Sequence, residues 1–586
     1  MTNDESISFI LSPFVFRFFN RLLWFFFMPF RSLLYSWPVL LALVLFLWFA
    51  TPDLDLPGLH YDEALEAATP AALLLNGQAV TVINDGALRL GTLALPLMVQ
   101  NHIGAIQIYA AMPFVALFGP TTAALRAMTV TVGALTLIGV YLFTLQLAGR
   151  AAAGAAVLWL AAFPSFVFWS RQGAFVTNLA PGLAVWAFVF GARFRNQGSG
   201  LRQGALERRG EGSAFLTGLF AGLAVWAKLS ALWLLVGSVA WAGIIWLANR
   251  RNSTVEPRKH LLPWRAIASG VVGFLLGILP IILYNFLAGF PTLAVVGGSA
   301  STTYLGTSNL NVADNLRTRV GQFADVLRSG EHLWYLGGSF PDTLALTSVL
   351  VAFAAVLVWC VRAGSVYHEE TKNTPDSLFS WQRTLFVPFL ILACVLQSCF
   401  TISALWFTHF AIAVWLPAVV VGIGFAALQR SRRPVAWIGT LALVGVILSH
   451  ARTSGMYLDA VRTTGGLSFH SSAITDVSRF LAARPEPLVA LDWGIAAQVE
   501  YLTNGQKRVE EYYGFAQEPP ADYAAQLGVR FERGELYLMH AEFQEAFPRR
   551  QAFLEAVAAA GLRAETVNVS IRRDGWPMIE VWRVVK

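Results

Sequence analysis

The sequence predicts a mainly α-helical, polytopic membrane protein with a small α/β domain at its C-terminal end. Three observations predict this architecture. Hydrophobic residues make up 56% of the 586 residues and charged residues only 13%, whereas about a quarter of the residues of a soluble globular chain are charged. Apolar runs of roughly 17–25 residues recur along most of the chain, and each can cross a hydrocarbon core of about 30 Å. After residue 450, strand-like and helix-like pieces alternate.

Residues 1–36 precede the first predicted span. Residues 14–36 mix Phe, Trp and Leu with Arg17, Arg21 and Arg31. This mixture is typical of a helix that lies in the cytoplasmic interface with its cations at the lipid headgroups. The segment shows no cleavable signal-peptide pattern.

Residues 37–450 form the predicted transmembrane domain, with about eleven spans. Within the first outer loop, residues 51–122, two pieces are bounded by turn residues, and we expect them to lie along the outer surface as helices: Tyr61–Leu75 and Ile103–Phe118. A second large outer loop covers residues 288–342. The predicted spans lie at about 37–50, 123–147, 152–169, 178–194, 214–227, 229–248, 267–287, 343–361, 384–402, 409–428 and 435–450.

The charges of the loops set the predicted orientation. With the N-terminus inside, the Arg-rich loops 193–213, 249–266 and 429–434 all lie in the cytoplasm, as the positive-inside rule requires. Counting Ile103–Phe118 as a span would place these loops outside. We therefore expect a multi-pass protein of the plasma membrane whose N-terminus is cytoplasmic and whose residues 451–586 form an extracytoplasmic α/β domain. The net charge of +7 then reflects basic cytoplasmic loops and predicts no nucleic-acid partner.

Several common catalytic motifs are missing from the sequence. It contains no Walker A, GxSxG or HExxH motif and no GxGxxG after a strand. ATP-driven transport and soluble-type hydrolysis therefore lack residues to carry them. The three cysteines lie in apolar runs and form neither a CxxC pattern nor a disulfide framework.

The strongest candidate for chemistry is the pair Asp62-Glu63, about a dozen residues after the first span. A carboxylate at the boundary between lipid and water can stay partly dehydrated and act as a general base. The alternative is structural, because acidic residues are also favoured in the first turn of a helix. The residue pattern alone leaves both interpretations open.

Four further polar residues lie near the predicted outer boundary. Lys228 stands between two apolar runs, where an ionisable group is a functional candidate or a snorkelling lysine. Arg171 ends a span on the outer side and could contact a lipid phosphate or serve as an interfacial anchor. His102 and His409 could bind a metal or a phosphate, or could pack and form hydrogen bonds. The spacings Gly218/Gly222 and Gly273/Gly277 predict close helix packing.

These pieces together resemble the GT-C superfamily of membrane glycosyltransferases, in particular the branch of protein O-mannosyltransferases and the lipid A aminoarabinose transferase (glycosyltransferase family 39-like). The resemblance covers roughly residues 37–430. Each segment is loose, but their order and spacing are specific. The segments are HYDEALEAATPAALLLNG, NHIGAIQIYAAMPFVALFGPTTAALR, AGRAAAGAAVLWLAAFPSFVFWSRQGAFVTN, GLAVWAKLSALWLL and WFTHFAIAVWLPAVVVGIGFA.

The resemblance implies roles for individual residues. Asp62 matches the catalytic acid of the first outer loop, with Glu63 as its usual neighbour. Lys228 matches the lysine that meets the phosphate of the lipid carrier in the aminoarabinose branch. Arg171 matches a basic residue common at the start of the second outer loop.

Other matches imply contacts with the substrate. His102 resembles the histidine of an HPP-like motif without its prolines, and His409 falls where relatives often have His or Arg. Relatives often carry a second acid where this chain has Asn178, with Gln172 where a glutamate is frequent, which weakens the case for a metal held by two carboxylates. Tyr304 and Trp334 of the second large outer loop could stack on sugar rings.

The function implied is that of an inverting glycosyltransferase that moves a sugar from a polyprenyl-phosphate carrier to a hydroxyl of a protein, lipid or glycan at the outer face. No cofactor is firmly implied, and a divalent cation has weak support. The alternatives are a transporter for a lipid-linked glycan, which would carry its polar residues at mid-span depth, and a non-catalytic assembly subunit.

Overall fold

The computed structural model describes residues 36–91, 93–172, 179–197, 203–252, 264–366 and 381–586. The interfacial helix predicted within residues 1–36 therefore lies almost wholly outside the described residues, as does Asn178. Apart from the short helices Tyr61–Glu63 and Thr69–Leu75, the α-helices from the first span to the C-terminal domain are Trp37–Ala50, Ile106–Phe118, Thr122–Ala148, Arg150–Ala162, Pro164–Arg171, Leu179–Gln197, Gln203–Ala227, Leu232–Asn252, Trp264–Gly277, Leu279–Ala288, Pro291–Gly298, Val312–Arg328, Thr343–Val366, Trp381–Thr384, Phe386–Gln397, Leu416–Gln429 and Arg433–Thr464.

Breaks within apolar stretches reduce the number of uninterrupted spans. Among the described residues, four helices are long and apolar enough to cross a membrane, or up to seven if each bent pair of helices is one span. The pair Arg150–Ala162 and Pro164–Arg171 bends by 63°, and the pair Trp264–Gly277 and Leu279–Ala288 bends by 52°. Proline stands in the first turn of both second helices, where it cannot donate a backbone hydrogen bond. This count of long apolar helices is lower than the predicted number of about eleven spans.

Two membrane helices pack through their glycines, as the sequence predicts. A Cβ atom built on Gly218 would lie 1.9 Å from the carbonyl oxygen of Gly270, and one on Gly273 would lie 2.2 Å from that of Phe215. A Cβ atom on Gly222 would lie 2.4 Å, and one on Gly277 2.6 Å, from a carbonyl oxygen of the opposite helix. Helices Gln203–Ala227 and Trp264–Gly277 can therefore approach closely only because these residues have no side chain.

The first outer loop is built mainly from short elements. Its predicted helix over residues 61–75 is present as Tyr61–Glu63, a π-helical turn Ala64–Ala68 and Thr69–Leu75. Four short strands follow, β1 (Ala87–Leu90), β2 (Leu93–Pro96), β3 (Met98–Gln100) and β4 (Ile103–Gly104), which pair as two antiparallel ladders. The remaining short helices of the chain are 3-10 turns at Ile83–Asp85, Leu229–Ala231, Glu331–Leu336, Phe407–Ala413, Ser468–His470 and Phe531–Arg533.

The C-terminal domain is an α/β unit built on a five-stranded sheet. Its strands are β5 (Leu488–Ala490), β6 (Val509–Glu511), β7 (Leu536–His540), β8 (Arg563–Ile571) and β9 (Pro577–Val585), in the order β6-β5-β7-β9-β8. Strand β5 is parallel to β6 and β7, whereas β9 is antiparallel to β7 and β8. The helices are Ala473–Ala482, Ala496–Leu502, Tyr523–Gly528 and Arg550–Ala559.

The junction between the two parts differs from the expectation. The predicted boundary at residue 450 falls inside the uninterrupted helix Arg433–Thr464, so the α/β fold begins only after Gly465. The domain also covers the first outer helix: the Thr69 hydroxyl donates to the carbonyl of Ala497 at 2.8 Å, and the Tyr61 hydroxyl donates to Glu511 at 2.7 Å. That helix therefore lies between the membrane helices and the C-terminal domain and is not an open surface helix.

Candidate active site at the first outer loop

The helix that carries Asp62 begins directly after His60. The Nδ1 atom of His60 accepts a hydrogen bond of 3.1 Å from the backbone N–H of Asp62, which satisfies one of the donors left free at a helix N-terminus. Burial lowers the pKa of His60, so the ring stays neutral and can accept this bond. The side chain of Asp62 is 38% exposed. Asp62 thus presents an accessible carboxylate from a fixed backbone.

Glu63 has the opposite environment. Its Oε2 atom accepts a hydrogen bond of 3.3 Å from Arg126, and both side chains are completely buried. The guanidinium of Arg126 also donates to the backbone carbonyls of Leu54, Pro57 and Gly58. Burial raises the pKa of Glu63, and Arg126 opposes this effect. The pair fixes the segment between the first span and the outer helix, and this placement does not support the predicted catalytic role of Glu63.

The structure adds Glu66, which the sequence interpretation missed. Its two carboxylate oxygens accept hydrogen bonds from the side-chain amides of Gln100 at 2.8 Å and Gln107 at 3.2 Å. Burial and the charge of Asp62 raise the pKa of Glu66 to about 8, although Lys228 and the two amides act against this. Glu66 could have been found in the sequence from its position four residues after Asp62, because residues i and i+4 lie on one face of a helix.

Lys228 occupies the turn between helices Gln203–Ala227 and Leu232–Asn252. Its backbone is extended and forms a β-bridge with Ile103 of the first outer loop. The next backbone N–H donates to the carbonyl of His102 at 3.2 Å. These bonds hold the first outer loop against the turn.

The Lys228 side chain is buried at the edge of a pocket. The residue is 8% exposed, and burial lowers its pKa while Glu66 and Asp62 raise it. Within the described ranges, no hydrogen bond or salt bridge is formed by its ammonium group. The adjoining pocket has a volume of about 250 Å³. Its polar lining residues are His102, Lys228, Ser230, Thr401, Ser403 and His409.

His409 lines this pocket, and Arg319 contacts its ring. An Nη2 donor of Arg319 lies 2.7 Å from the Nδ1 atom of His409. Because arginine can only donate, Nδ1 must accept, and the proton of a neutral ring is on Nε2. That atom lies 3.3 Å from the Oγ atom of Ser403. His409 therefore offers a neutral N–H donor at the pocket, backed by a buried cation. His102 is also neutral, since burial and Lys228 lower its pKa to about 4.

The two aromatic residues of the second large outer loop lie in different places. Tyr304 is 62% exposed, and its backbone N–H donates to the carbonyl of Ile402, which lines the pocket, at 3.4 Å. The ring of Trp334 packs edge-on against His470 at the junction with the C-terminal domain. Only Tyr304 is brought to the site by these contacts.

Arg171 is not placed for the predicted phosphate contact. Its guanidinium donates to the backbone carbonyls of Phe49, Pro52, Asp53 and Leu56, and the residue is 1% exposed. It is also absent from the lining of the pocket beside Lys228. Its contacts instead tie the end of the first span to the loop that follows.

The pocket thus brings Lys228 together with the neutral rings of His102 and His409, and the charges of Asp62 and Glu66 act on Lys228. An exposed carboxylate such as Asp62 can accept a proton, and the cation of Lys228 can bind an anionic group. Among the residues that the structure describes, no group of three or more His, Cys, Asp or Glu side chains is placed to hold a metal ion.

Solved structures share this architecture. ArnT from Cupriavidus metallidurans in the apo state is 13% identical with a TM-score of 0.58, covering 94% of this chain and 98% of that chain. The same enzyme bound to undecaprenyl phosphate is 12% identical with a TM-score of 0.58, covering 93% of this chain and 97% of that chain. Both belong to the GT-C superfamily. The chain has the GT-C fold.

A second kind of GT-C structure is also similar. The archaeal oligosaccharyltransferase AglB from Archaeoglobus fulgidus, in complex with an inhibitory peptide and a dolichol-phosphate, is 12% identical with a TM-score of 0.52, covering 91% of this chain and 72% of that chain. No protein-family profile matches the sequence, and no curated protein is similar to it. The predicted GT-C fold is confirmed, and with it the assignment as a multi-pass membrane protein.

Proposed function

We propose that this protein is an inverting glycosyltransferase that moves a sugar from a polyprenyl-phosphate carrier to a hydroxyl acceptor. The observation that carries the proposal is the buried ammonium of Lys228, which borders a pocket of about 250 Å³ and forms no hydrogen bond or salt bridge with the described residues. A buried cation is costly unless an anion compensates it. The phosphate of a lipid carrier supplies such an anion at the membrane surface.

The pocket suits the departing phosphate of the carrier. Lys228 binds its oxygens and stabilises the charge that grows on them as the glycosidic bond breaks. His409 adds a neutral N–H donor whose tautomer is set by Arg319. Two similar structures, ArnT bound to undecaprenyl phosphate and AglB in complex with a dolichol-phosphate, support a carrier of this class.

Asp62 is the proposed general base. Its carboxylate takes the proton of the acceptor hydroxyl while that oxygen attacks the anomeric carbon on the face opposite to the phosphate, which inverts the carbon. Its exposure leaves room for an acceptor. Glu66 is a positioning residue: it is buried near Asp62, and the amides of Gln100 and Gln107 hold its oxygens.

We further propose that the site faces the outside of the plasma membrane, with the N-terminus in the cytoplasm. The Arg-rich loops at residues 193–213, 249–266 and 429–434 support this orientation. The first two adjoin the ends of helices Gln203–Ala227 and Leu232–Asn252 that are farthest in sequence from Lys228. The C-terminal α/β domain is then extracytoplasmic.

Two variants separate binding from transfer. Lys228→Met should weaken binding of undecaprenyl phosphate to the purified protein by about tenfold or more, as expected when one charge-assisted contact is lost. Asp62→Asn should keep this binding and abolish the change in surface glycans when it complements a deletion strain. Arg89→Gln, an exposed cation of the first outer loop away from the pocket, serves as the control.

The outcomes discriminate between the candidate functions. Normal glycans with Asp62→Asn and normal binding with Lys228→Met would refute the proposal. If Asp62→Asn binds the carrier and gives a normal glycan profile while Lys228→Met loses binding, the result would favour a transporter of lipid-linked glycans. Absence of carrier binding in the wild-type protein would favour a non-catalytic assembly subunit.

A further inference from the structure

A second and larger cavity lies on the other side of Lys228. It has a volume of about 520 Å³ and is walled mainly by alanine, leucine and phenylalanine side chains of several membrane helices. It begins at Ala231, three residues after Lys228, and continues to Ile245 on the same helix. With a rise of 1.5 Å per residue, these two positions are separated by about 20 Å. The cavity is therefore a tall groove that leads away from the proposed active site.

The far end of this groove carries two arginines. Arg195, near the end of helix Leu179–Gln197, and Arg383, in helix Trp381–Thr384, both line the cavity. Both side chains line the same cavity, so two positive charges are present at this end of it. In the part of the chain that the structure describes, neither forms a salt bridge or a side-chain hydrogen bond. An anion bound here would compensate these charges.

We propose that the groove binds one anionic glycerophospholipid from the leaflet opposite to the active site, with its phosphate at Arg195 and Arg383 and an acyl chain along the alanine-lined wall. Charge complementarity supports this occupant. Guanidinium groups pair well with phosphate oxygens, whereas a purely hydrocarbon occupant would leave both cations without a partner. The depth of the groove suits a chain that enters from that leaflet and ends below Lys228.

This site is separate from the pocket proposed for the carrier phosphate. The carrier pocket contains Lys228, His102 and His409, and none of these residues lines the groove. The two sites approach each other at the turn after Lys228 and at the start of the next helix, where Trp233 lines the carrier pocket and Ala231 and Leu234 line the groove. A bound phospholipid would support that turn from the opposite side.

The test measures phospholipid retained by the full-length protein. After extensive washing in mild detergent, native mass spectrometry should find about one phosphatidylglycerol or a similar anionic phospholipid per wild-type chain. The variant Arg195→Gln/Arg383→Gln should retain about tenfold less, as expected for the loss of charge-assisted contacts. The control Arg432→Gln/Arg433→Gln removes the same charge from the exposed start of helix Arg433–Thr464 and should retain the lipid.

A cavity-filling variant guards against a folding defect in the arginine variant. Ala221→Leu places a larger side chain in the groove while both arginines remain, and it should also lose the lipid. Added phosphatidylglycerol should raise the melting temperature of the wild-type protein more than phosphatidylcholine does. Equal retention by the arginine variant, equal stabilisation by phosphatidylcholine, or recovery of a polyprenyl phosphate from the groove would overturn the proposal.

Discussion

The buried pair of Glu63 and Arg126 offers a direct test of how the two neighbouring acids differ. Replacing Glu63 with glutamine removes one charge of a salt bridge that is completely buried, with a separation of 3.3 Å. Breaking such a pair typically costs about 3–5 kcal/mol, because the remaining charge is left without compensation. The glutamine oxygen can still accept a hydrogen bond, and three backbone carbonyls still receive donors from Arg126. We therefore expect the lower end, about 3 kcal/mol.

The measurement is thermal unfolding of the purified protein in detergent, with Asp62→Asn as the matched control. Asp62 is partly exposed and outside this pair, so its substitution should change stability by no more than about 0.5 kcal/mol. Glu63→Gln should lower the melting temperature by a few degrees. Combining Glu63→Gln with Arg126→Gln should cost less than the sum of the two single changes, since both remove the same interaction.

Activity decides the interpretation. In the chain that still folds, Glu63→Gln should keep measurable glycan transfer, whereas Asp62→Asn should have none. If Glu63→Gln instead melts like the wild type and has lost transfer completely, Glu63 is a catalytic residue and the structural role argued from its burial is wrong.

Two further predictions concern the outer helix and the membrane helices. Because the folded-state pKa of Glu66 is raised to about 8 from an ordinary value near 4.3, its contribution to stability is present at low pH and is lost as the pH rises through about 8. Glu66→Gln should therefore gain stability relative to the wild type between pH 5 and pH 8.5 in thermal unfolding measured across this range, and a constant difference would contradict the raised pKa. Gly273→Val should prevent close helix packing and lower the yield of folded protein in size-exclusion chromatography. A Cβ atom on Gly243 would have no neighbour within 4 Å, so the control Gly243→Ala should be tolerated or stabilise the protein by up to about 1 kcal/mol. Equal yields of the two variants would refute the packing argument.

The membrane architecture could be predicted because it depends on composition averaged over many residues. The apolar runs and the spacing of Gly218, Gly222, Gly273 and Gly277 can be recognised without knowing where each helix begins or ends. The glycine contacts are present in the structure. The number of uninterrupted spans could not be predicted in the same way. Bends at Pro164 and near Ile278 divide stretches that a hydropathy pattern reads as continuous.

The limits of helices were harder to predict where the protein environment decides them. The helix Arg433–Thr464 continues past the predicted membrane boundary because its later part packs against other segments: Tyr457 donates to the carbonyl of Ser329 at 2.6 Å, and Ser454 donates to that of Ala162 at 3.0 Å. Neither contact leaves a periodic signal in the sequence. The strands of the C-terminal domain were easier to foresee, since PLVALDWG and GELYLMH contain β5 and β7.

The candidate site shows why residue type and position can indicate Lys228 and still mislead at Arg171. Both are cations beside apolar runs, and both are buried. Arg171 finds four carbonyl acceptors at the end of the first span, whereas the described part of the chain supplies no hydrogen bond to the ammonium of Lys228. The sequence shows that a charged residue lies beside apolar runs, but it does not show whether other groups of the folded protein compensate the charge. That compensation is the property that separates a structural cation from one that awaits a ligand, and it is why Lys228 carries the proposed function.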